Sequence, residues 1–142
     1  MKRIFTAIAL VAVAFYGHAQ CTVQDEANYN GNEAECKPAV SIYNEFLKQE
    51  NFEEAAKAWW KVQDICPQYK SSYYSNGKYI YKKMAQAVTD KNGEEFKNKM
   101  DTLEIMYDLW AKNYGDCYEL QMKRAHDLMQ DAVSYTHLTL PT

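Results

Sequence analysis

Histidine is scarce in this chain, and that scarcity excludes most common arrangements for catalysis. The 142 residues include three histidines, and His126 is the only one between the apolar N-terminal segment and the C-terminal tail. With one histidine available, neither a Ser/His/Asp nor a Cys/His constellation has support. The acidic pairs along the chain are explained as charges at helix starts. We therefore predict a protein that is not an enzyme and that has no catalytic residues, cofactor or metal site.

Closely spaced cysteine motifs are also absent. No Cys-x-x-Cys or Cys-x-x-Cys-His segment occurs, so redox catalysis and covalent haem attachment have no support. Four cysteines are present, and in an exported chain an even number favours disulfides, with three possible connectivities. A zinc site is a weaker alternative, because the spacings are wide and irregular. The four cysteines are Cys21, Cys36, Cys66 and Cys117.

An excess of basic residues is missing as well. Removing Lys2 and Arg3, which lie in a predicted signal segment, from the 16 basic residues leaves 14 against 19 acidic ones, a charge of −5. Proteins that bind nucleic acid favour a basic face. We therefore predict no nucleic-acid partner.

The apolar run near the N-terminus is too short for a comfortable membrane span. A charged start at Lys2 and Arg3, the uncharged run Ile4–Tyr16 and small residues after it predict a signal peptide over residues 1–19. The alternative is lipidation of Cys21, which would normally have a small residue before it. The chain is expected to be exported, periplasmic or associated with the cell envelope, and to contact the membrane only at export or through a lipidated Cys21.

After the signal, the pattern predicts an all-α protein of about five helices and no convincing strand. Residues 20–36 are polar and aperiodic, which indicates a flexible N-terminal arm that is tethered only if Cys21 is disulfide-bonded. Residues 37–132 form the helical domain, since apolar residues recur at spacings of three and four. The predicted helices span Pro38–Gln49, Phe52–Ile65, Ser71–Thr89 and Glu94–Tyr114, with a fifth that starts near Asp116 and buries Leu120, Ala125 and Leu128.

The stretch from Ile42 to Pro67 fits one tetratricopeptide repeat (TPR), a helix–turn–helix unit. Several consensus positions match at one fixed offset. Gly77 lies one repeat length, about 34 residues, after Tyr43. Glycine inside a helix costs roughly 1 kcal/mol against alanine, so close approach of a neighbouring helix is expected there. The matching positions are Ile42, Phe46, Phe52, Ala55, Trp59 and Pro67.

The final stretch, residues 133–142, reads VSYTHLTLPT and departs from the helical pattern. It resembles a translated adapter from sequencing-library preparation. We therefore expect a non-native tail and a helical domain that is truncated at its C-terminus. The alternative is an ordinary C-terminal tail.

Helix order suggests how the cysteines pair. In an antiparallel hairpin, the start of the first helix and the end of the second lie at the same end, which brings Cys36 and Cys66 within disulfide range. Cys21–Cys117 follows by default.

The chain resembles a group of short secreted TPR-like proteins of the Gram-negative envelope. The matching pieces are Cys36 followed by SIYNEFLKQENFEEA, the Ile65-Cys66-Pro67 end of helix two, and DTLEIMYDLWAKNYG (Asp101–Gly115). Trp110 stands where the family tends to carry an arginine, so the role of that arginine does not transfer. The resemblance implies an envelope protein with a right-handed superhelical array of helix hairpins and no known catalytic residues.

In TPR arrays the first helix of each repeat lines a concave groove, which predicts a partner-binding face on helices one and three. Interleaved Tyr, Asn and Lys could hydrogen-bond an extended peptide; the alternative is a solvated helix face. The predicted groove residues are Asn44, Leu47, Lys48, Tyr74, Lys78, Tyr81 and Lys82.

The leading functional hypothesis is a non-enzymatic envelope protein that mediates protein–protein contacts. The first alternative is a glycan- or small-ligand-binding helical module that uses exposed tyrosines. The second is a structural part of a larger envelope assembly. The partner's identity and the oligomeric state do not follow from the sequence.

Overall fold

Five α-helices follow one another along the chain with short turns between them. The computed structural model describes residues 21–136, with side chains to residue 130, and within these residues there is no strand. The all-α prediction is therefore confirmed, whereas the predicted signal peptide lies outside the described residues. The helices are α1 (Glu33–Lys48), α2 (Phe52–Ile65), α3 (Ser71–Ala87), α4 (Glu94–Tyr114) and α5 (Tyr118–Thr136).

The helices pack in chain order. Helices α1 and α2 form one antiparallel hairpin and α3 and α4 form a second, while α2 contacts α3 and α4 contacts α5. Each hairpin has an apolar side that it cannot cover alone, so the two hairpins bury those sides against each other. The amide of Glu54 donates to the side chain of Asn51, which caps α2.

Helix α1 begins at Glu33, earlier than the predicted Pro38. Glu33 and Glu35 occupy its first turn, where negative charge suits the helix dipole. The side chain of Asn32 also donates to Glu35 at 3.0 Å. These local interactions extend the helix ahead of the proline, and residues 33–36 belong to the helix rather than to the expected arm.

The remaining arm residues are held against the helices. The amide of Thr22 donates to the carbonyl of Tyr114 at 2.8 Å, and the amide of Asn28 donates to the carbonyl of Tyr69 at 2.9 Å. The arm also carries Cys21, which is disulfide-bonded. These bonds tether the arm to the turn before α3 and to the end of α4.

Trp59 lies at the centre of the interface between the two hairpins. It has no exposed surface, and its indole stacks on the ring of Tyr73 with centroids 4.5 Å apart. Its Nε1–H donates to the carbonyl of Tyr73 at 3.0 Å, and the Tyr73 hydroxyl donates to the carbonyl of Trp59 at 2.5 Å. Two reciprocal hydrogen bonds and a stack therefore fix α2 against α3.

Gly77 makes this close contact possible. A Cβ atom at residue 77 would lie 2.6 Å from two atoms of the Trp59 indole and 2.8 Å from Cε of Met106. The indole is clamped by Tyr73 and cannot move aside freely. A neighbouring helix was expected to approach closely at this glycine, and α2 does so through Trp59.

Gly77→Ala should therefore destabilise the protein although alanine is the better helix former. Overpacking a dense core costs about 1–3 kcal/mol, against a propensity gain of about 1 kcal/mol. Chemical denaturation should give a net loss, whereas Ser72→Ala on the exposed side of α3 should change stability little. A Gly77→Ala variant as stable as the parent would contradict the account. In a Trp59→Leu background the alanine should cost less, because the clashing ring is gone.

Helix α5 covers the end of the second hairpin through one side only. Leu120 and Asp127 are buried against the body and Leu128 is half-buried. Ala125 is exposed, so its prediction as a buried residue is wrong. The face that Ala125 shares also exposes Tyr118, Met122 and Met129. The helix continues through residues 133–136, and the rest of the predicted tail lies outside the described residues.

Two disulfides join these elements. Cys36–Cys66 closes the first hairpin with Cα atoms 6.0 Å apart, and Cys21–Cys117 ties the arm to the start of α5 with Cα atoms 5.2 Å apart. The first pairing is the one expected from the helix layout, and the second is the one that follows by default. Disulfides persist in oxidising compartments, so the chain fits an extracytoplasmic environment. No described helix has the length and apolar character that a membrane crossing requires.

Candidate functional site

The two tyrosines predicted for a groove on α3 lie in the core. Tyr74 is fully buried and Tyr81 nearly so. The Tyr74 hydroxyl accepts a bond from Asn113 at 2.7 Å, and the Tyr81 hydroxyl accepts one from the indole of Trp60 at 2.8 Å. The prediction that these rings face an open groove is corrected, because packing between the hairpins uses both. Neither presents a ring face for a sugar to stack on.

The two lysines predicted for the same groove form an internal ion-pair cluster. Lys78 lies 3.1 Å and Lys82 lies 2.8 Å from the carboxylate of Asp127 on α5. The Tyr107 hydroxyl on α4 donates to the same carboxylate at 2.6 Å. Asp127 is only 4% exposed. Three helices therefore meet at one buried carboxylate, and both lysines are paired with it.

The electrostatics of this cluster keep Asp127 ionised. Burial alone would raise the pKa of Asp127, but hydrogen bonds from Lys82, Tyr107 and Lys78 outweigh burial and hold the pKa well below its usual range. Burial, followed by the bond to Asp127, raises the pKa of Tyr107. The tyrosine stays protonated and donates. This arrangement stabilises the docking of α5 against α3 and α4.

The predicted groove residues on α1 remain partly accessible. Asn44 and Leu47 are half-buried and Lys48 is exposed. No ion pair of Lys48 occurs within the described residues. Of the expected groove, only the α1 residues are therefore free to meet a partner, because the α3 residues contact other parts of the protein.

An open cleft lies elsewhere, where the turns of the two hairpins come together. The α1–α2 turn, the C-terminal end of α3 and the N-terminal end of α4 enclose a solvent-open cleft of about 800 Å³. Its apolar floor consists of Phe52, Met84, Ala87 and Val88. This volume is within the range of known ligand-binding clefts.

Acidic side chains dominate the rim of this cleft. Five carboxylates and one lysine, Lys83, line it. Glu53 pairs with Lys99 at 3.3 Å. Within the described residues no cation lies at ion-pair distance from the other rim carboxylates. The cleft therefore carries a negative field that the protein itself leaves largely uncompensated. The acidic residues are Glu50, Glu53, Asp90, Glu94 and Glu95.

Two of the rim carboxylates lie outside any helix. Glu53, Glu94 and Glu95 sit in first turns, where the helix dipole stabilises them. Glu50 has a φ of 55°, a left-handed backbone that non-glycine residues adopt at a cost. This conformation ends α1: the Glu50 amide donates to the carbonyl of Leu47 at 3.1 Å and the Asn51 amide donates to that of Phe46 at 3.0 Å, a common way to satisfy the last carbonyls of a helix.

Lysine near the cleft is occupied in other ways. Lys91 donates to the carbonyls of Ala85 and Gln86 at 2.6 and 3.0 Å, and so caps the end of α3. The Nζ of Lys83 lies 5.5 Å from the ring centroid of Tyr79. Apart from Lys99, which pairs with Glu53, the lysines near the cleft contact helix ends and rings and form no ion pair with the acidic rim.

The acidic cleft was not among the sites predicted from the sequence, although its parts are visible there. Both hairpin turns are acidic, at Glu50 and at Asp90, and each is followed by a pair of glutamates at a helix start. Because stacked hairpins in the same orientation place their turns at one end, equal charge in successive turns is the signal that could have found it.

Among residues 21–130, no group of three histidine, cysteine or acidic side chains is arranged to hold a metal ion. Comparison with protein-family models, curated proteins and solved structures finds no match.

Proposed function

We propose that this chain is a non-enzymatic, TPR-like protein of the periplasm or cell envelope that binds a protein partner. The acidic cleft between the hairpin turns is the observation that carries the proposal. The two stacked hairpins and the two disulfides support it, since a rigid helical array in an oxidising compartment suits a scaffold. In this proposal the hairpins follow the right-handed superhelical arrangement of TPR arrays.

Charge complementarity selects the partner's chemistry. A segment with lysine or arginine residues would neutralise the rim, and an apolar side chain between them would reach the floor formed by Phe52, Met84 and Val88. A cationic, partly apolar peptide segment of a partner protein therefore fits the cleft. Association should be faster at low salt, because exposed charges are screened at high ionic strength.

A matched pair of peptides tests this proposal. A fluorescent peptide of alternating lysine and leucine should bind the folded chain in an anisotropy titration, and the same peptide with glutamate in place of lysine should not. A triple variant, Glu50→Gln, Glu94→Gln and Glu95→Gln, should weaken binding of the basic peptide by about tenfold, equivalent to about 1.4 kcal/mol.

The control variant changes the same amount of charge away from the cleft. Asp25→Asn, Asp64→Asn and Asp101→Asn are exposed positions that do not line it. Their combination should change affinity by about twofold at most, as expected for distant screened charges. Equal weakening by both triple variants, or binding of the acidic peptide, would contradict a specific cleft. If the double variant Asn44→Ala and Lys48→Ala lost affinity for the basic peptide instead, the binding site would lie on the α1 face.

A further inference from the structure

The two disulfides differ in exposure. Cys36 and Cys66 have no exposed surface and Cys117 is 3% exposed, whereas Cys21 is partly exposed. Cys21 also lines a small pocket of about 200 Å³ between the arm and helices α3, α4 and α5. Thiol–disulfide exchange requires an attacking thiolate to reach a sulfur atom. Of the four cysteines, Cys21 is the one with appreciable exposure, so an external thiolate would approach the disulfides there.

Cys117, which is bonded to Cys21, is well placed to depart as a thiolate. Cys117 directly precedes α5, and the amide of Leu120 donates to the Cys117 sulfur at 3.4 Å. A helix N-terminus stabilises a thiolate at this position. Exchange is faster when the departing thiolate is stabilised. The bond is therefore polarised for attack at Cys21 with departure of Cys117.

The arm depends on this bond. Besides the disulfide, backbone hydrogen bonds join residues 21–32 to the helices, including the bond from the Ser71 amide to the carbonyl of Gln24 at 3.0 Å. Thr22, Val23 and Asp25 are exposed, so residues 22–26 bury little apolar surface, whereas Tyr29 further along the arm packs on the core. Segments with few buried contacts open at low free-energy cost.

We propose that Cys21–Cys117 is a modification site, opened by an extracytoplasmic dithiol reductant, and that opening releases the arm from α3 and α4. A thiolate of the dithiol attacks the Cys21 sulfur, the S–S bond breaks, and its electron pair leaves on Cys117. The second thiol of the reductant then attacks the mixed disulfide and frees Cys21. The reductant ends as a disulfide, the chain gains two thiols once both thiolates are protonated, and Cys36–Cys66 stays closed.

Reduction kinetics test the site directly. The purified oxidised chain is treated with dithiothreitol for increasing times, quenched with iodoacetamide and mapped by peptide mass spectrometry. Cys21 and Cys117 should be alkylated at least about tenfold faster than Cys36 and Cys66, since only one bond is reachable. Equal rates for both bonds, or earlier opening of Cys36–Cys66, would overturn the proposal.

Two further measurements identify the attacked sulfur and the released segment. Reduced glutathione, a monothiol, should form its trapped adduct on Cys21, and an adduct on Cys117 would refute the direction of attack. Hydrogen exchange after selective reduction should show lost protection at the amides of Thr22 and Gln24, which bond to Tyr114 and Ser71, with α2 unchanged. Cys21→Ser with Cys117→Ser should show the same loss without reductant. If the arm amides stay protected in the selectively reduced chain, the proposed release of the arm is wrong. This result does not depend on whether the double variant folds.

Discussion

Replacing Trp59 with alanine should lower the free energy of unfolding by about 3–5 kcal/mol, the usual cost of removing a large buried aromatic side chain. This loss of stability reflects broken contacts as well as the volume of the missing side chain. The indole has no exposed surface and stacks on Tyr73. Without it, the carbonyl of Tyr73 loses its buried donor, and Gly77 faces an empty space. A domain of this size has about 5–15 kcal/mol of stability in total, so this single change should remove a large fraction of it.

Trp60 is the matched control for this prediction. It is the same residue type on the next position of α2, half-buried, with a single hydrogen bond to Tyr81. Trp60→Ala should cost about 1–2 kcal/mol, for one hydrogen bond and part of a side chain. Urea titrations followed by circular dichroism measure both variants. Equal losses at the two positions would mean that Trp59 does not hold the hairpins together.

Asp127→Asn should lower stability by about 3 kcal/mol at neutral pH, because it removes one partner of a buried charge cluster. Lys78 and Lys82 then face each other without a counter-ion, and the Tyr107 hydroxyl loses a charged acceptor. The cost is moderated because both lysines retain some exposure and can turn toward water. Denaturation with an α5-sensitive probe, such as hydrogen exchange of the Leu120 amide, should show α5 detaching first.

The pH dependence follows from the depressed pKa of Asp127. In the unfolded chain this carboxyl titrates near pH 4, whereas in the folded chain its pKa lies well below that range. Its stabilising contribution is fully present above the unfolded pKa and is lost as the pH falls through the folded pKa. In that interval the unfolded state binds one more proton, so this group lowers stability by about 1.4 kcal/mol per pH unit. The gap between parent and Asp127→Asn should be constant above about pH 5 and narrow below about pH 4.

Asp108 is the control at the same interface. It pairs with Arg124 of α5 at 2.8 Å, but its side chain is 64% exposed. Exposed ion pairs contribute about 0–1 kcal/mol, so Asp108→Asn should change stability within that range. A comparable loss from both aspartates, or a gap for Asp127→Asn that persists unchanged down to pH 2, would contradict the assignment of Asp127 as the central charge.

The helical layout was largely predictable because it depends on local information. The bounds of α2 and α4 match the predicted Phe52–Ile65 and Glu94–Tyr114. In both cases a capping turn, an apolar period and a clear stop signal agree. Helix α3 ends at Ala87, two residues before the predicted end, because Val88 turns to an extended backbone. The early start of α1 was missed because Pro38 was assigned to the first turn.

Side-chain roles on α3 were predicted less well, because one helix can be covered on more than one side. Tyr74 and Tyr81 fall at groove positions by repeat logic, but Asn113 of α4 and Trp60 of α2 cover them. Lys78 and Lys82, on the same face, form ion pairs with Asp127, which is 45 residues beyond Lys82. A single sequence carries no signal for pairs this far apart. The same reasoning explains Ala125: the apolar period of α5 is too weak to choose between its two faces.

The sequence by itself determined the number and order of the helices, the small residue that lets α2 approach α3, and the cysteine pair that closes the first hairpin. Each follows from the spacing of neighbouring residues, which is a property of the local chain. Only the tertiary structure decided which tyrosines and lysines stay accessible, where α5 docks, and that two acidic turns meet around one cleft. Those outcomes depend on which surfaces are buried against distant residues, and burial is decided by the whole chain together.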